Sequence, residues 1–293
     1  MGIVLNRLND YFFKWLFGRE ERKDVLLSFL NSVLALKGRG KIADITLAER
    51  ELDPDWLSDK MSRLDILGKA EDGSLINIEV QIGNHYDMDK RTLFYWARLY
   101  QGQLQKGQPY KKLCRTVTIN VLDYEFLPGK AKYHSMYSLY EEETQHRLNE
   151  DMEIHFLELP KWKEHPPKDK TLLDKWVMYL CNTDKEEMEE IAMSEPAIRK
   201  ALTAEEIFLK QDKERYRYEM REKAIHDEIS QLTGAREEGR REGREEGREE
   251  GREEGILAGK AEIARRLLSR GMKVEEVAEI AGMSLEEVGR IRH

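Results

Sequence analysis

The segment from Arg63 to Ile82 constrains this chain more than any other. Two β-prone runs, Arg63 to Lys69 and Ser74 to Ile82, flank Glu71-Asp72-Gly73. Such runs on either side of a Gly-containing turn specify a hairpin. Glu79 and Gln81 stand two residues apart, so they share one face of the second strand. The partner of Asp65 depends on the turn. A two-residue turn at Asp72-Gly73 sets Asp65 opposite Val80, on the wrong side. A three-residue loop, Glu71-Asp72-Gly73, pairs Ala70 with Ser74 and sets Asp65 opposite Glu79. Loops of that length want a left-handed last residue, which Gly73 supplies. The second register makes a carboxylate pair suited to a hard divalent cation such as Mg²⁺, with waters completing its shell. A half-exposed hairpin also carries Asp, Glu and Gln simply as its wet face. Against that stand Ile66, Leu67, Ile76, Ile78, Val80 and Ile82, which imply that both faces are covered. Buried carboxylates repel each other unless a cation sits between them.

Around the hairpin the periodicity alternates between helix and strand. Helices are expected over 8–17 and about 20–36, with Gly38 and Gly40 ending the second. Residues 42–52 read as strand-like up to the Asp53-Pro54 turn. A helix over 87–106 follows, with an acidic start at Asp87 and Asp89 and a stop at Gly107. Its Tyr95, Trp96 and Tyr100 read as core or as a base-stacking platform. Residues 115–122, rich in β-branched residues, read as a buried strand. Further strands are expected at 135–142 and 152–159. Pro160, Pro166 and Pro167 close the β-containing region, and helix dominates to about 232.

Composition bounds the partners. The chain has 293 residues, 40 % hydrophobic and 36 % charged, with a net charge of −8. The acidic surplus is downstream: residues 1–130 hold 20 Lys and Arg against 18 Asp and Glu, and the rest hold 29 against 39. An acidic chain is a poor general binder of phosphate backbones, but only the contacting face has to be positive. Cys114 and Cys181 stand alone, without zinc-site or disulfide spacing, as suits a reducing cytoplasm. No stretch reaches the roughly 20 apolar residues of a membrane span. The first residues lack a signal-peptide core, and Asn6 replaces the Ser or Thr of a myristoylation signal. A cytoplasmic protein with no membrane association is expected.

Residues 234–255 are of low complexity, with Gly239, Gly243, Gly247, Gly251 and Gly255 every fourth residue among Arg and Glu. On a helix, Glu245–Arg248 and Glu249–Arg252 give a few tenths of a kcal/mol each, whereas each Gly costs about 1 kcal/mol relative to Ala. The segment reads as a marginally helical spacer, or as an oligomerisation stalk along the Gly stripe. Residues 256–293 read as a helix-turn-helix-like unit, since Ala278 and Gly282 allow close crossing. Glu286 and Glu287 at the start of its last helix argue against base contact there and for docking or assembly. Four divisions are expected: 1–165, 166–233, 234–255 and 256–293.

Taken in order, Asn9 to Gly18, Arg63 to Leu67, Asn77 to Gln81, Asp87 to Tyr100, Gln108-Pro-Tyr110 and Val117 to Leu122 resemble the PD-(D/E)XK nuclease family transposases, also called Rpn-family recombination-promoting nucleases. The resemblance covers roughly residues 5–230. It implies an α/β fold with a mixed sheet, a restriction-endonuclease-like core of αβββαβ type followed by a mostly helical C-terminal half. It further implies a DNA endonuclease dependent on Mg²⁺ or Mn²⁺, linked to recombination or transposition. Asp65 and Glu79 match the metal ligands, and Asp10 an acidic position that completes the shell. Gln81 falls where the fold's signature has Lys, and brings no charge. Lys14 and Arg63 are candidates for phosphate contact. The competing expectation is a catalytically silent DNA-binding or assembly module of the same fold. Self-association through the C-terminal repeat and helical unit is expected in either case.

Overall fold

A computed structural model describes residues 4–34, 40–48, 65–84 and 86–291. The chain divides into two compact units, residues 1–225 and 226–293.

In the first unit the apolar pattern builds a covered sheet. Helices α1 (Asp10–Phe17) and α2 (Lys23–Leu34) come first. The Asn9 side chain caps α1 by accepting from the N–H groups of Tyr11 and Phe12 at 3.1 and 3.3 Å, satisfying donors that a helix start leaves free. Strands β1 (Ile45–Leu47), β2 (Ile66–Ala70) and β3 (Leu75–Gln81) follow as an antiparallel meander. Helix α3 (Met88–Gln101) then carries the chain to β4 (Thr116–Leu122), parallel to β3; a parallel pair requires such a crossover. β5 (His134–Tyr137) is an antiparallel edge on β6 (Met152–Glu158), which is parallel to β4. The sheet order is β1-β2-β3-β4-β6-β5.

One sheet face, with Ile76, Ile78, Val80, Val117, Ile119, Val121 and Leu157, shares a core with the aromatic residues of α1 and α2. Helices α5 (Leu172–Leu180), α6 (Lys185–Ser194) and α7 (Pro196–Lys210) complete that core through Trp176, Ile191 and Phe208, after a short α4 (Leu159–Glu164). The other face is covered by α3, where Met88 joins Leu122, Met152, Ile154 and Phe156. β4 and β6 are buried along their whole length because both faces are covered. The architecture is thus the mixed-sheet α/β fold that the sequence implied, with a helical second half.

The hairpin takes the three-residue loop. Ala70 N–H donates to Ser74 O at 2.9 Å, Gly73 N–H returns to Ala70 O, and Gly73 has φ +87°. A Cβ at Gly73 would also meet Cys114 Sγ at 3.0 Å. Gly73→Ala is therefore expected to cost about 1–2 kcal/mol, the penalty of a left-handed L-residue. It would be read as a lower urea midpoint with an unchanged m-value.

Several boundaries differ from the periodicity. α2 is preceded by a 3₁₀ turn over Glu20–Arg22 and ends at Leu34, with 35–39 outside the described residues. The run from 42 gives only the three residues of β1, and 49–64 lie outside the described residues. α3 stops at Gly102 rather than Gly107. There the Gln103 side chain turns to the Cys114 N–H and O and to Thr116 Oγ1, fastening the chain to the start of β4. β5 ends at Tyr137, ahead of an isolated bridge between Tyr140 and Arg147. Of the aromatic residues of α3, Tyr95 is buried, Trp96 Nε1–H donates to Thr116 O and Tyr100 donates to Asp151 at 2.6 Å, while Phe94 is exposed.

Helix α8 (Asp212–Ser269) carries the glycine repeat, and nothing lies within 4 Å of a Cβ added at its glycines from 234 to 259. In the second unit, α9 (Val274–Ala281) ends on Gly282 in the left-handed conformation, and α10 (Leu285–Ile291) follows. Ser284 and Glu287 cap one another's backbone at that turn. Ala264, Val277, Ala278, Ala281 and Val288 form a small core.

Candidate active site

The β2–β3 ladder ends with Ile66 opposite Ile78, and Asp65 lies just beyond that end, close enough for its charge to act on Glu79. Glu79 lies on the α3 side of the sheet, near the carboxyl end of β3, where open α/β sheets commonly bind ligands, whereas Asp65 is reached by Lys14 of α1.

Neither carboxylate is a wet surface group. The Glu79 residue is 1 % exposed and the Asp65 side chain 5 %. Asp65 Oδ2 accepts from Val80 N–H at 2.7 Å, and Oδ1 lies 3.0 Å from Lys14 Nζ, which reaches across from α1. Glu79 Oε1 accepts from Asn77 Nδ2 at 3.3 Å. Among the described residues Glu79 Oε2 has no hydrogen-bond partner, and a guanidinium nitrogen of Arg91 lies 3.7 Å from it. Burial pushes the Glu79 carboxyl up to about 8, with the Asp65 charge adding to it; Arg91, Asn77 and Lys14 pull the other way without prevailing. Burial raises Asp65 too, opposed by Lys14 and the Val80 N–H and supported by the charge of Asp10.

The remaining sequence candidates are less tightly placed. Gln81 is half-buried and accepts from Arg91 at 3.3 Å through Oε1. Asp10, at the start of α1, is ion-paired with Arg221 at 2.7 Å. Arg63 lies outside the described residues. Two participants were not anticipated. Asn77 shares the inward face of β3 with Glu79, as its spacing of two already implied. Arg91 had only an indirect signal: a crossover helix leaving the carboxyl end of β3 must return its first turns over that end.

Among the described residues no three His, Cys, Asp or Glu side chains come together as a metal-holding group. The pair still fits a hard cation. Its donors are carboxylate oxygens, one buried and unpartnered, and Mg²⁺ is often held by one or two carboxylates with waters and substrate oxygens.

Among the described residues, a mixed sheet of six strands covered by helices, with a buried carboxylate on β3 and a second just before β2, fits a restriction-endonuclease-like domain. The chain belongs to the PD-(D/E)XK nuclease family transposases, whose family model matches residues 7–235. Neither a curated protein nor a solved structure matches it. Among the described residues no helix is long and apolar enough to cross a membrane.

Proposed function

We propose that the first unit is a divalent-metal-dependent DNA endonuclease that hydrolyses phosphodiester bonds, with a role in recombination or transposition. The observation that carries this reading is the unpartnered, buried Glu79 Oε2 within reach of the Asp65 charge. Asp65 and Glu79 would hold Mg²⁺ or Mn²⁺, with Asp10 extending the acidic set. When bound, the ion neutralises phosphate charge and acidifies its water. The chain's own residues do the rest. The Val80 N–H and Lys14 orient Asp65, and Asn77 orients Glu79. Arg91 steadies the Gln81 amide, which can hydrogen-bond a water or a phosphate oxygen. Lys14, whose side chain is 24 % exposed, supplies the ammonium that the Gln81 position lacks, and Arg63 is a second candidate for phosphate contact.

Two further assignments belong to this reading. A cytoplasmic setting suits the free thiols Cys114 and Cys181. The repeat helix and the second unit are the candidates for self-association, helped by the exposed Ile256, Leu257, Ile263 and Ile280.

The neutral Gln81 favours one other reading, a silent DNA-binding or assembly module. Supercoiled plasmid incubated with Mg²⁺ separates the two. Nicking by the wild type, reduced about 10²–10³-fold in Asp65→Ala, is expected. Equal nicking by both proteins would expose a contaminant, and no nicking by wild type would favour the silent module.

A further inference from the structure

Beneath α3 the sheet carries a strip of polar side chains that the carboxylate pair does not account for. Asn77 and Glu79 of β3 are in register with Thr118 and Asn120 of β4, and all four are buried. Two amide orientations are fixed by what they donate. Asn77 Nδ2 donates to Glu79 Oε1, and Asn120 Nδ2 donates to Thr92 Oγ1 and to His155 O, both at 3.0 Å. Among the described residues Asn77 Oδ1, Glu79 Oε2, Thr118 Oγ1 and Asn120 Oδ1, together with Arg91 Nε–H, are left without partners. Four orphaned oxygens on two adjacent register levels are not scattered defects. Buried polar groups are almost always satisfied, by protein or by ordered water, because an unmade bond leaves the whole desolvation penalty standing. Neighbouring strands run about 4.8 Å apart, too wide for short side chains to meet directly and close to the span of one bridging water.

We propose that Asn77, Glu79, Thr118 and Asn120 enclose an internal water site of one or two molecules. Through it Asn77, Thr118 and Asn120 act as positioning residues on the inner side of the Glu79 carboxylate. The mixture of orphans selects the occupant. A cation among the Asn77, Thr118 and Asn120 oxygens would satisfy them but leave Arg91 Nε–H unbonded. Water both donates and accepts, and a buried water makes about three hydrogen bonds. Groups behind metal-ligating carboxylates fix their orientation, so this strip is the inner support of the proposed metal ligand. The positioning role rests on the nuclease reading; the water site does not.

The test uses Thr118→Val, nearly isosteric, and Thr118→Ser, which keeps the hydroxyl, both in the full chain. A hydroxyl with no partner is a burden, so its removal would raise the thermal midpoint. A hydroxyl holding water is an asset, and its removal is expected to lower the midpoint by about 2–4 °C. Calorimetric Mn²⁺ binding is expected to weaken about 10-fold in Thr118→Val and to recover in Thr118→Ser. A high-resolution crystal structure is expected to place a water within hydrogen-bond reach of at least three of the four oxygens. A dry strip, an anomalous signal there from soaked Rb⁺, or a raised midpoint in Thr118→Val would each overturn the water site. Weakened midpoint with unchanged Mn²⁺ affinity would overturn the positioning role. A wild type that binds no Mn²⁺ would remove the metal reading and with it the positioning role. The midpoint and the crystal would then still decide the water.

Discussion

Glu79→Gln is expected to lower Mg²⁺-dependent DNA cleavage about 10³-fold while making the metal-free protein more stable at pH 8.5. The two effects have opposite signs because one buried carboxylate serves the site at the expense of the fold. In the folded chain Glu79 releases its proton only near pH 8, against an ordinary value of 4.5. Between those values the folded state holds a proton that the unfolded state has lost, so stability falls as pH rises. The proton-linked stability is fully present below about pH 4.5 and gone above about pH 8, a loss on the order of a few kcal/mol. Asp65 shifts in the same direction and adds to the slope. A glutamine keeps the shape, carries no charge and removes the dependence. Thermal midpoints in EDTA at pH 5 and pH 8.5 check this. The wild type should lose more than Glu79→Gln on going to pH 8.5, and Mg²⁺ should return part of that loss to the wild type alone. Parallel pH profiles for the two proteins would sink the account.

The hairpin was legible because its specification is local. Gly73 selects the three-residue loop, the loop selects the register, and the register pairs Ile66 with Ile78, one residue short of Asp65 and Glu79. The apolar residues at Ile76, Ile78 and Val80 also disclosed that the carboxylates would not face water, since a strand covered on both sides reads as a nearly continuous apolar run. What the sequence did not disclose depends on long-range meetings. Arg221 reaches Asp10 from 211 residues away, and Lys14 reaches Asp65 from α1, far from it in sequence. The end of α3 was misplaced for a similar reason. Apolar Leu104 continued the helical period, but the bonds of Gln103 to Cys114 and Thr116 decide where the chain leaves the helix. Thr118 and Asn120 read simply as β-strand residues. Their role is visible only when the partners of each polar atom are followed.

Lys14→Met is expected to reduce cleavage about 10²-fold, and adding Gln81→Lys is expected to recover at least about 10-fold of it. The reasoning begins with a missing charge. The fold's signature places a lysine where this chain has Gln81, and an amide cannot replace an ammonium in stabilising charge on a phosphate. The chain does place an ammonium at the pair, from α1 rather than β3: Lys14 Nζ, 3.0 Å from Asp65 Oδ1. An ammonium has three donors, so contact with Asp65 leaves capacity for a phosphate oxygen. Removing Lys14 also takes away the largest influence that lowers the Asp65 pKa against burial. Asp65 would then hold its proton to higher pH, and the acid limb of the pH–rate profile should move upward in Lys14→Met. A group acting only by bulk charge would shift the salt dependence of binding and leave that limb in place. Gln81→Lys in the double variant restores positive charge at the signature position, but beside Arg91, whose repulsion keeps the recovery partial. Wild-type cleavage by Lys14→Met, or an unmoved acid limb, would show that α1 contributes structure to this site and no charge to its chemistry.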